Sequence, residues 1–208
     1  MKSRTLALIA GISYLIVFFA AIFANFFVIE SILKSPQETI QQSHLMVRFG
    51  ILAFLITVVF DVVIAWALYE LFKKDALTGL STLFRMMHAA IMAVAVFALP
   101  FALTSTTGEE ILKQIDVFNT IWLIGLFFFG CHLILLAGIF RKPGIIALFL
   151  LIAGVMYMVD TAAHFLLSDY KSYASVFLAF VAIPSILGEM SFAIWLLVKG
   201  GKNDSLNA

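Results

Sequence analysis

Long apolar segments alternate with short polar connections along the chain of 208 residues. A helix that crosses about 30 Å of hydrocarbon needs about 20 mostly apolar residues, and six segments reach that length. They are Thr5–Ser31 (span 1), Met46–Phe72 (span 2), Leu80–Thr104 (span 3), Val117–Phe140 (span 4), Ile145–Ser168 (span 5) and Phe177–Val198 (span 6). The pattern predicts an all-α protein, a six-span transmembrane helical bundle.

The connections between the spans are too short to separate domains. The longest contains Pro36–Ser43, which we expect to form a short helix at the membrane interface. Residues 1–200 are therefore predicted to form a single six-helix transmembrane domain, followed by a polar C-terminal tail at 201–208. Span 1 is too long for the apolar region of a signal peptide, so we expect it to be retained.

The composition agrees with a membrane protein. Apolar residues make up 63% of the chain and charged residues 12%, whereas a soluble domain carries about 25% charged residues. A net charge of +1 gives no basic surface for nucleic acid, and the lone Cys131 excludes a disulfide scaffold. The expected partner is the lipid bilayer.

Basic residues of short loops favour the cytoplasmic side of a membrane. If the N-terminus is cytoplasmic, the loops on that side hold more of them than the outer loops. The inner set is Lys2, Arg4, Lys73, Lys74, Arg141, Lys142, Lys199 and Lys202, and the outer set is Lys34, Arg48, Lys113 and Lys171. We expect a multi-pass protein of the bacterial cytoplasmic (inner) membrane with both termini in the cytoplasm.

Ionisable residues within the spans are the candidate functional groups, because a charge at the centre of a span costs roughly 2.5–3.5 kcal/mol. At about 1.5 Å per residue from the cytoplasmic margin, Arg85 lies ~8 Å deep, His88 and His132 ~12 Å, Asp61 and Glu189 ~15 Å, Asp160 ~22 Å and His164 ~28 Å. Five of these residues share a narrow range of depth. Small and hydroxyl residues accompany Asp61 and Glu189, so both carboxylates are predicted on helix-packing faces.

The sequence therefore predicts a buried polar cluster, made of Asp61, Arg85, His132, Asp160 and Glu189. Two carboxylates and one arginine at one depth leave an acidic group without a fixed partner, and such a group can exchange protons. This arrangement favours transport or sensing linked to a proton or a small solute. A lipid ligand stays open, as does a purely structural network that joins the helices.

Two cofactor sites are alternatives. His88, His132, Asp61 and Glu189 are a candidate ligand set for zinc or iron. His88 and His132 alone are candidate haem ligands, with Gly125, Gly130 and Gly138 leaving room for a porphyrin. Neither has a supporting motif, and the sequence favours no cofactor. It contains no catalytic motif either, so it favours a protein that is not an enzyme over an intramembrane metalloenzyme or haem enzyme.

Several segments together resemble the bacterial integral membrane family filed as domain of unknown function 4386. They are Leu8–Ile16, Phe60–Tyr69, Leu83–Ala90, Phe128–Gly138, Tyr157–Asp160, Leu187–Glu189 and Trp195–Gly200. The resemblance implies a six-span inner-membrane protein in which Asp61, Arg85, His132, Asp160 and Glu189 occupy family positions. It does not extend to His88 or His164, which weakens the haem hypothesis, and it implies no activity.

Overall fold

The computed structural model describes residues 1–202, and every element in that range is helical. Six helical segments are long and apolar enough to cross a membrane. They are Ser3–Lys34 (span 1), His44–Phe72 (span 2), Thr78–Thr104 (span 3), Gly108–Ile139 (span 4), Gly144–Leu166 (span 5) and Tyr170–Val198 (span 6). The predicted six-span bundle is confirmed. Residues 203–208 of the predicted tail lie outside the described part of the chain.

Two of the spans begin earlier than their apolar stretches. Span 4 begins at Gly108 because Thr107 caps it: the Thr107 hydroxyl accepts a hydrogen bond from the Glu110 amide, and the Glu110 carboxylate accepts one from the Thr107 amide. Such a reciprocal pair satisfies the free N–H groups of a first helical turn. Span 6 likewise starts at Tyr170. Hydrophobicity therefore located the membrane-crossing part of each helix but not its polar extension.

Span 1 is composite, since an α-helix Ser3–Ile22 is followed by a π-helical segment Phe23–Ile29 and a short α-helix Glu30–Lys34. At the change of helix type, the side-chain amide of Asn25 donates to the carbonyl of Ala21 at 3.0 Å. The predicted interface helix is present at Pro36–Gln42. Span 3 is also divided, into Thr78–Val96 and Ala98–Thr104.

The spans form a closed ring in chain order. Each packs against the span before and the span after it, and span 6 packs back against span 1. The guanidinium of Arg4 fastens this closure by donating to the carbonyls of Leu196 (3.0 Å), Gly200 (2.9 Å) and Leu197. Both ends of the described chain therefore lie at one end of the bundle. We call that half of the bundle the terminal half and the other the distal half.

Two separate apolar cores fill the ring. The terminal core takes residues from every span except span 3, whereas the distal core takes residues from spans 1 to 4 and the short helix, and none from spans 5 and 6. In span 2 the cores are separated between Phe54 and Ile64, where Thr57 and Asp61 are buried instead. The polar residues thus lie where the apolar packing is interrupted.

Spans 4 and 5 approach most closely at two glycines. A Cβ atom on Gly130 would lie 2.5 Å from the carbonyl oxygen of Gly154, and one on Gly154 would lie 2.7 Å from the carbonyl oxygen of Gly130. Only glycine permits backbones to approach this closely in a membrane bundle. The contact fixes the rotation of span 4 and, with it, the direction of the nearby His132.

Candidate functional site

Arg85 is the centre of the buried polar residues. Its side chain is 1% exposed and lies inside the ring. One terminal nitrogen donates to Asp61 Oδ1 at 2.5 Å, and the other contacts the Tyr14 hydroxyl at 2.9 Å and His132 Nε2 at 3.2 Å. A single guanidinium therefore joins spans 1, 2, 3 and 4. We call Tyr14, Asp61, Ser81, Arg85, His88 and His132 the Arg85 cluster.

The hydrogen bonds determine the tautomer of His132. Its Nδ1 lies 3.0 Å from the carbonyl oxygen of Ser81, which can only accept, so Nδ1 carries the proton. Its Nε2 faces Arg85, which can only donate, so Nε2 is the acceptor. His132 is consequently a neutral imidazole held between two fixed partners, and it adds no charge to that of Arg85.

Aromatic rings cover the faces of the guanidinium. The Arg85 carbon Cζ lies 4.9 Å from the centre of the Tyr14 ring and 5.2 Å from that of Phe129. Both distances suit a cation–π contact. Phe129 also packs against the rings of His88 and His132, at centroid distances of 4.8 and 5.8 Å. The rings keep water from the charge and make the cluster rigid.

His88 lies at the edge of the Arg85 cluster, with Nε2 3.6 Å from Asp61 Oδ2. Two of the cluster's buried nitrogens, Nδ1 of His88 and Nε of Arg85, have no hydrogen-bond partner within residues 1–202. His88 Nδ1 faces span 4, since a Cβ atom on Gly125 would lie 3.3 Å from it. The Asp61 carboxylate is thus shared between Arg85 and His88.

Glu189 lies in a second group of polar residues, on spans 5 and 6. Ser185 Oγ donates to Glu189 Oε1 at 2.6 Å, and the Tyr157 hydroxyl lies 2.9 Å from Ser185 Oγ. Because the serine proton points to the carboxylate, Tyr157 is the donor to Ser185. We call Tyr157, Ser185 and Glu189 the Glu189 chain. Glu189 itself is half-buried.

No positively charged side chain of the described chain lies within 4.0 Å of Glu189. Arg85 and Asp61 are near enough to interact with it electrostatically, but Arg85 makes its direct ion pair with Asp61. The two carboxylates are therefore unlike. The carboxylate of Asp61 is paired and buried, and that of the half-buried Glu189 is held by a hydroxyl.

Asp160 lies apart from both groups, toward the distal end of span 5. Its Oδ1 accepts a hydrogen bond from the Tyr170 hydroxyl at 2.7 Å, which joins the end of span 5 to the start of span 6. Tyr170 also contacts the ring of His164 at a centroid distance of 4.7 Å. Of the five predicted cluster residues, the structure brings Asp61, Arg85 and His132 into direct contact, leaves Glu189 adjacent and separates Asp160.

Two members of the Arg85 cluster were missed by the sequence analysis, Tyr14 and Ser81. Ser81 lies four residues before Arg85, and His88 three residues after it, so all three share one helix face. That spacing could have identified Ser81 as a neighbour of the Arg85 side chain. No feature of the sequence identified Tyr14, because span 1 has no charged residue at that depth to show which of its faces is inward. The hydrogen bond from Tyr157 to Ser185 was not predicted either.

The predicted metal ligands do not converge. Within residues 1–202, no three His, Cys, Asp or Glu side chains are arranged to hold a metal ion. The reason lies in Arg85, which already takes Asp61 and His132 as its hydrogen-bond partners, while Glu189 turns to Ser185. The space expected for a porphyrin is filled at two of the three glycines, because Gly125 packs against His88 and Gly130 against span 5.

Comparison with known proteins agrees with this architecture. The model of the family described as "Domain of unknown function (DUF4386)" matches residues 9–200. The chain belongs to this family. The DUF4386 match includes spans 2 to 6, all of span 1 from residue 9 onward and every residue of both polar groups, and it confirms the resemblance noted from the sequence.

A relative of this DUF4386 protein is known from Archaeoglobus fulgidus. It is 28% identical over 160 residues, which cover 74% of this chain and 85% of the relative, and it carries the description "Uncharacterized protein". No solved structure matches the chain. The comparisons therefore establish the family, and the six apolar helices indicate a multi-pass membrane protein.

Proposed function

We propose that this protein couples proton exchange at Glu189 to the movement of a small solute across the bacterial cytoplasmic membrane. The observation that carries the proposal is the environment of Glu189: a half-buried glutamate within a membrane span, whose carboxylate contacts no cation of the described chain. Ionisable groups are retained inside spans when they are paired or used, and Glu189 is not paired.

A count of buried charge supports this role. Arg85 contributes one positive charge and Asp61 one negative charge, and the pair is in direct contact. His132 is neutral by its hydrogen bonds. An ionised Glu189 therefore adds a negative charge that makes no ion pair within residues 1–202, which is costly in a medium of low dielectric constant. Taking up a proton, or a cation, removes that cost.

The Arg85 cluster has a different role in this proposal. Arginine stays charged at any accessible pH, and its contacts with four spans suit a fixed anchor better than a moving part. We assign to the Arg85 cluster the structural role that the sequence left open, a network that joins the helices. Its positive charge then sets the electrostatic environment in which Glu189 gains and loses a proton.

The test is a pH jump on purified protein in liposomes adsorbed to a solid-supported electrode. The wild type should give a transient current as protons bind, and Glu189→Gln should reduce that current to the level of protein-free liposomes. Glu109→Gln is the matched control, because Glu109 is exposed at the distal start of span 4. Ser185→Ala should slow the transient by removing the hydroxyl that contacts Glu189.

A folded Glu189→Gln variant with an unchanged current would overturn the proposal. Loss of the current together with a large fall in thermal stability would instead assign Glu189 to the structural network. Thermal unfolding of the variant in detergent distinguishes these outcomes. We expect its stability to stay close to the wild type, because the amide can still accept the Ser185 hydrogen bond.

The proposal includes the orientation and extent of the domain. We infer that both termini face the cytoplasm and that residues 1–200 act as one transmembrane domain. The basic residues of the terminal half support this orientation. A C-terminal green fluorescent protein fusion should fluoresce and a C-terminal alkaline phosphatase fusion should be inactive, and the reverse result would invert the topology.

A further inference from the structure

The distal half of span 6 is poorly covered by the rest of the bundle. No residue from 170 to 180 is buried, and the distal core takes no residue from this span. Tyr170, Ala174 and Phe177 follow one another at helical spacing and are half-buried, so they mark the covered face, whereas the other positions from 171 to 180 are exposed. The cover on the inward side of this half of span 6 is therefore narrow.

The inward face can be identified from contacts nearer the terminal end. Gly188 faces span 5, since a Cβ atom there would lie 3.0 Å from the Leu150 amide nitrogen, and the Ala193 carbonyl faces span 1, 3.1 Å from a Cβ atom on Gly11. Glu189 points between these directions, toward the inside of the ring. Ala182 and Leu178 lie on the same face, two and three turns further out. Leu178 is 57% exposed.

Span 1 is loosely packed at the same level. None of its residues from 15 to 23 is buried, although buried residues lie on both sides of that stretch. The contacts of span 1 with span 6 include an edge-to-face pair between Tyr14 and Phe192, at a centroid distance of 5.8 Å. Further out, the π-helical segment packs against span 2 and makes at most marginal contact with span 6. The ring is thus closed in its terminal half and loose between the distal halves of spans 1 and 6.

We propose that a small lipophilic organic cation enters between the distal halves of spans 1 and 6 and binds Glu189 in exchange for a proton. The inference rests on the proposed function and names the solute class. An entry bounded by apolar side chains such as Leu178 and Phe18 selects a lipophilic molecule. At the inner end of this entry, the Glu189 carboxylate, which contacts no cation, selects a positively charged molecule.

The neighbouring groups favour this class of ligand. The half-buried ring of Tyr157 lies beside Glu189 through Ser185, and aromatic faces attract organic cations. The positive charge of Arg85 is neutralised by Asp61 and does not oppose a cation at Glu189. An anionic solute would meet two carboxylates there. The titratable or charged groups that face Glu189, besides its own helix, are Tyr14, Asp61, Arg85, His88 and Tyr157.

The experiment measures equilibrium binding of tetraphenylphosphonium to the purified full chain in detergent as a function of pH. Because one proton competes with one cation, the affinity should fall about tenfold for each pH unit below the protonation midpoint of Glu189. Glu189→Gln should abolish the pH-dependent binding, while Glu109→Gln should leave it unchanged. Leu178→Trp should slow association without changing thermal stability, because Leu178 is 57% exposed and the larger side chain displaces no packed neighbour.

Four results would count against the inference. Equal tetraphenylphosphonium affinity in folded Glu189→Gln would remove the proposed ligand. Binding that does not vary with pH would remove the exchange. Absence of binding in a wild type that still gives the pH-jump current would reject the cation and leave proton exchange at Glu189 intact, whereas loss of both signals would reject both proposals.

Discussion

Asp61→Asn should be among the most destabilising conservative substitutions in this protein. The change keeps the size of the side chain but leaves the Arg85 guanidinium, 1% exposed, without its carboxylate partner. Breaking a buried ion pair by removing one partner costs about 3–5 kcal/mol. The Tyr14 and His132 contacts of Arg85 cannot compensate, since both partners are neutral.

The assay is reversible unfolding in mixed micelles, with the free energy of unfolding obtained by titration with a denaturing detergent. Asp116→Asn is the matched control, because Asp116 is exposed on span 4. Substitutions at such positions usually change stability by less than about 0.5 kcal/mol. The difference between the two variants isolates the buried pair from the general effect of removing a carboxylate.

Two combined variants test the reasoning further. In Asp61→Leu with Arg85→Met both charges are gone, so this double variant should be more stable than Asp61→Asn. Adding Glu189→Gln to Asp61→Asn should destabilise it further, because Glu189 is the other carboxylate within electrostatic reach of Arg85. An Asp61→Asn variant with the same free energy of unfolding as Asp116→Asn would contradict the assignment of Asp61 and Arg85 as a buried ion pair. A double variant less stable than Asp61→Asn would contradict it as well.

Three further substitutions test the fold, each by the free energy of unfolding. Gly154→Ala should cost about 1–3 kcal/mol by overpacking against span 4, whereas Gly144→Ala on the same span should be neutral because its Cβ atom would meet nothing within 4 Å. Arg4→Met should cost about 1–2 kcal/mol through the lost hydrogen bonds to span 6, and the exposed Arg48→Met should cost little. Thr107→Ala should cost about 0.5–2 kcal/mol by removing the cap of span 4; an unchanged stability would mean that the cap is not formed in the membrane.

The membrane fold could be predicted from the sequence because each span is identified by the hydrophobicity of neighbouring residues. Hydrophobicity over about 20 residues is enough to identify a crossing helix, and the connections limit how neighbouring helices can pack. The pairing of Asp61 with Arg85 could also be expected, since a buried arginine needs a carboxylate and both lie at a similar depth. Depth along a helix is readable from residue numbers alone.

The rotation of each helix about its axis cannot be inferred from residue numbers. This rotation determines which of the other side chains of the site meet. Asp160 was grouped with the cluster, yet it turns to Tyr170. Glu189 was at the right depth, but span 6 aims it at Ser185 rather than at Arg85. The rotation of span 4 depends on the contact between Gly130 and Gly154, which involves residues from two helices and leaves no periodic signal in either.

The ring closure has a consequence for biogenesis. Span 1 enters the bilayer before the other spans, because translation proceeds from the N-terminus, yet the carbonyl groups that Arg4 binds belong to the end of span 6. Until the ribosome has delivered that last helix, this edge of span 1 has only lipid or assisting proteins as neighbours. Of the six spans, the first therefore completes its contacts only after the sixth has been inserted.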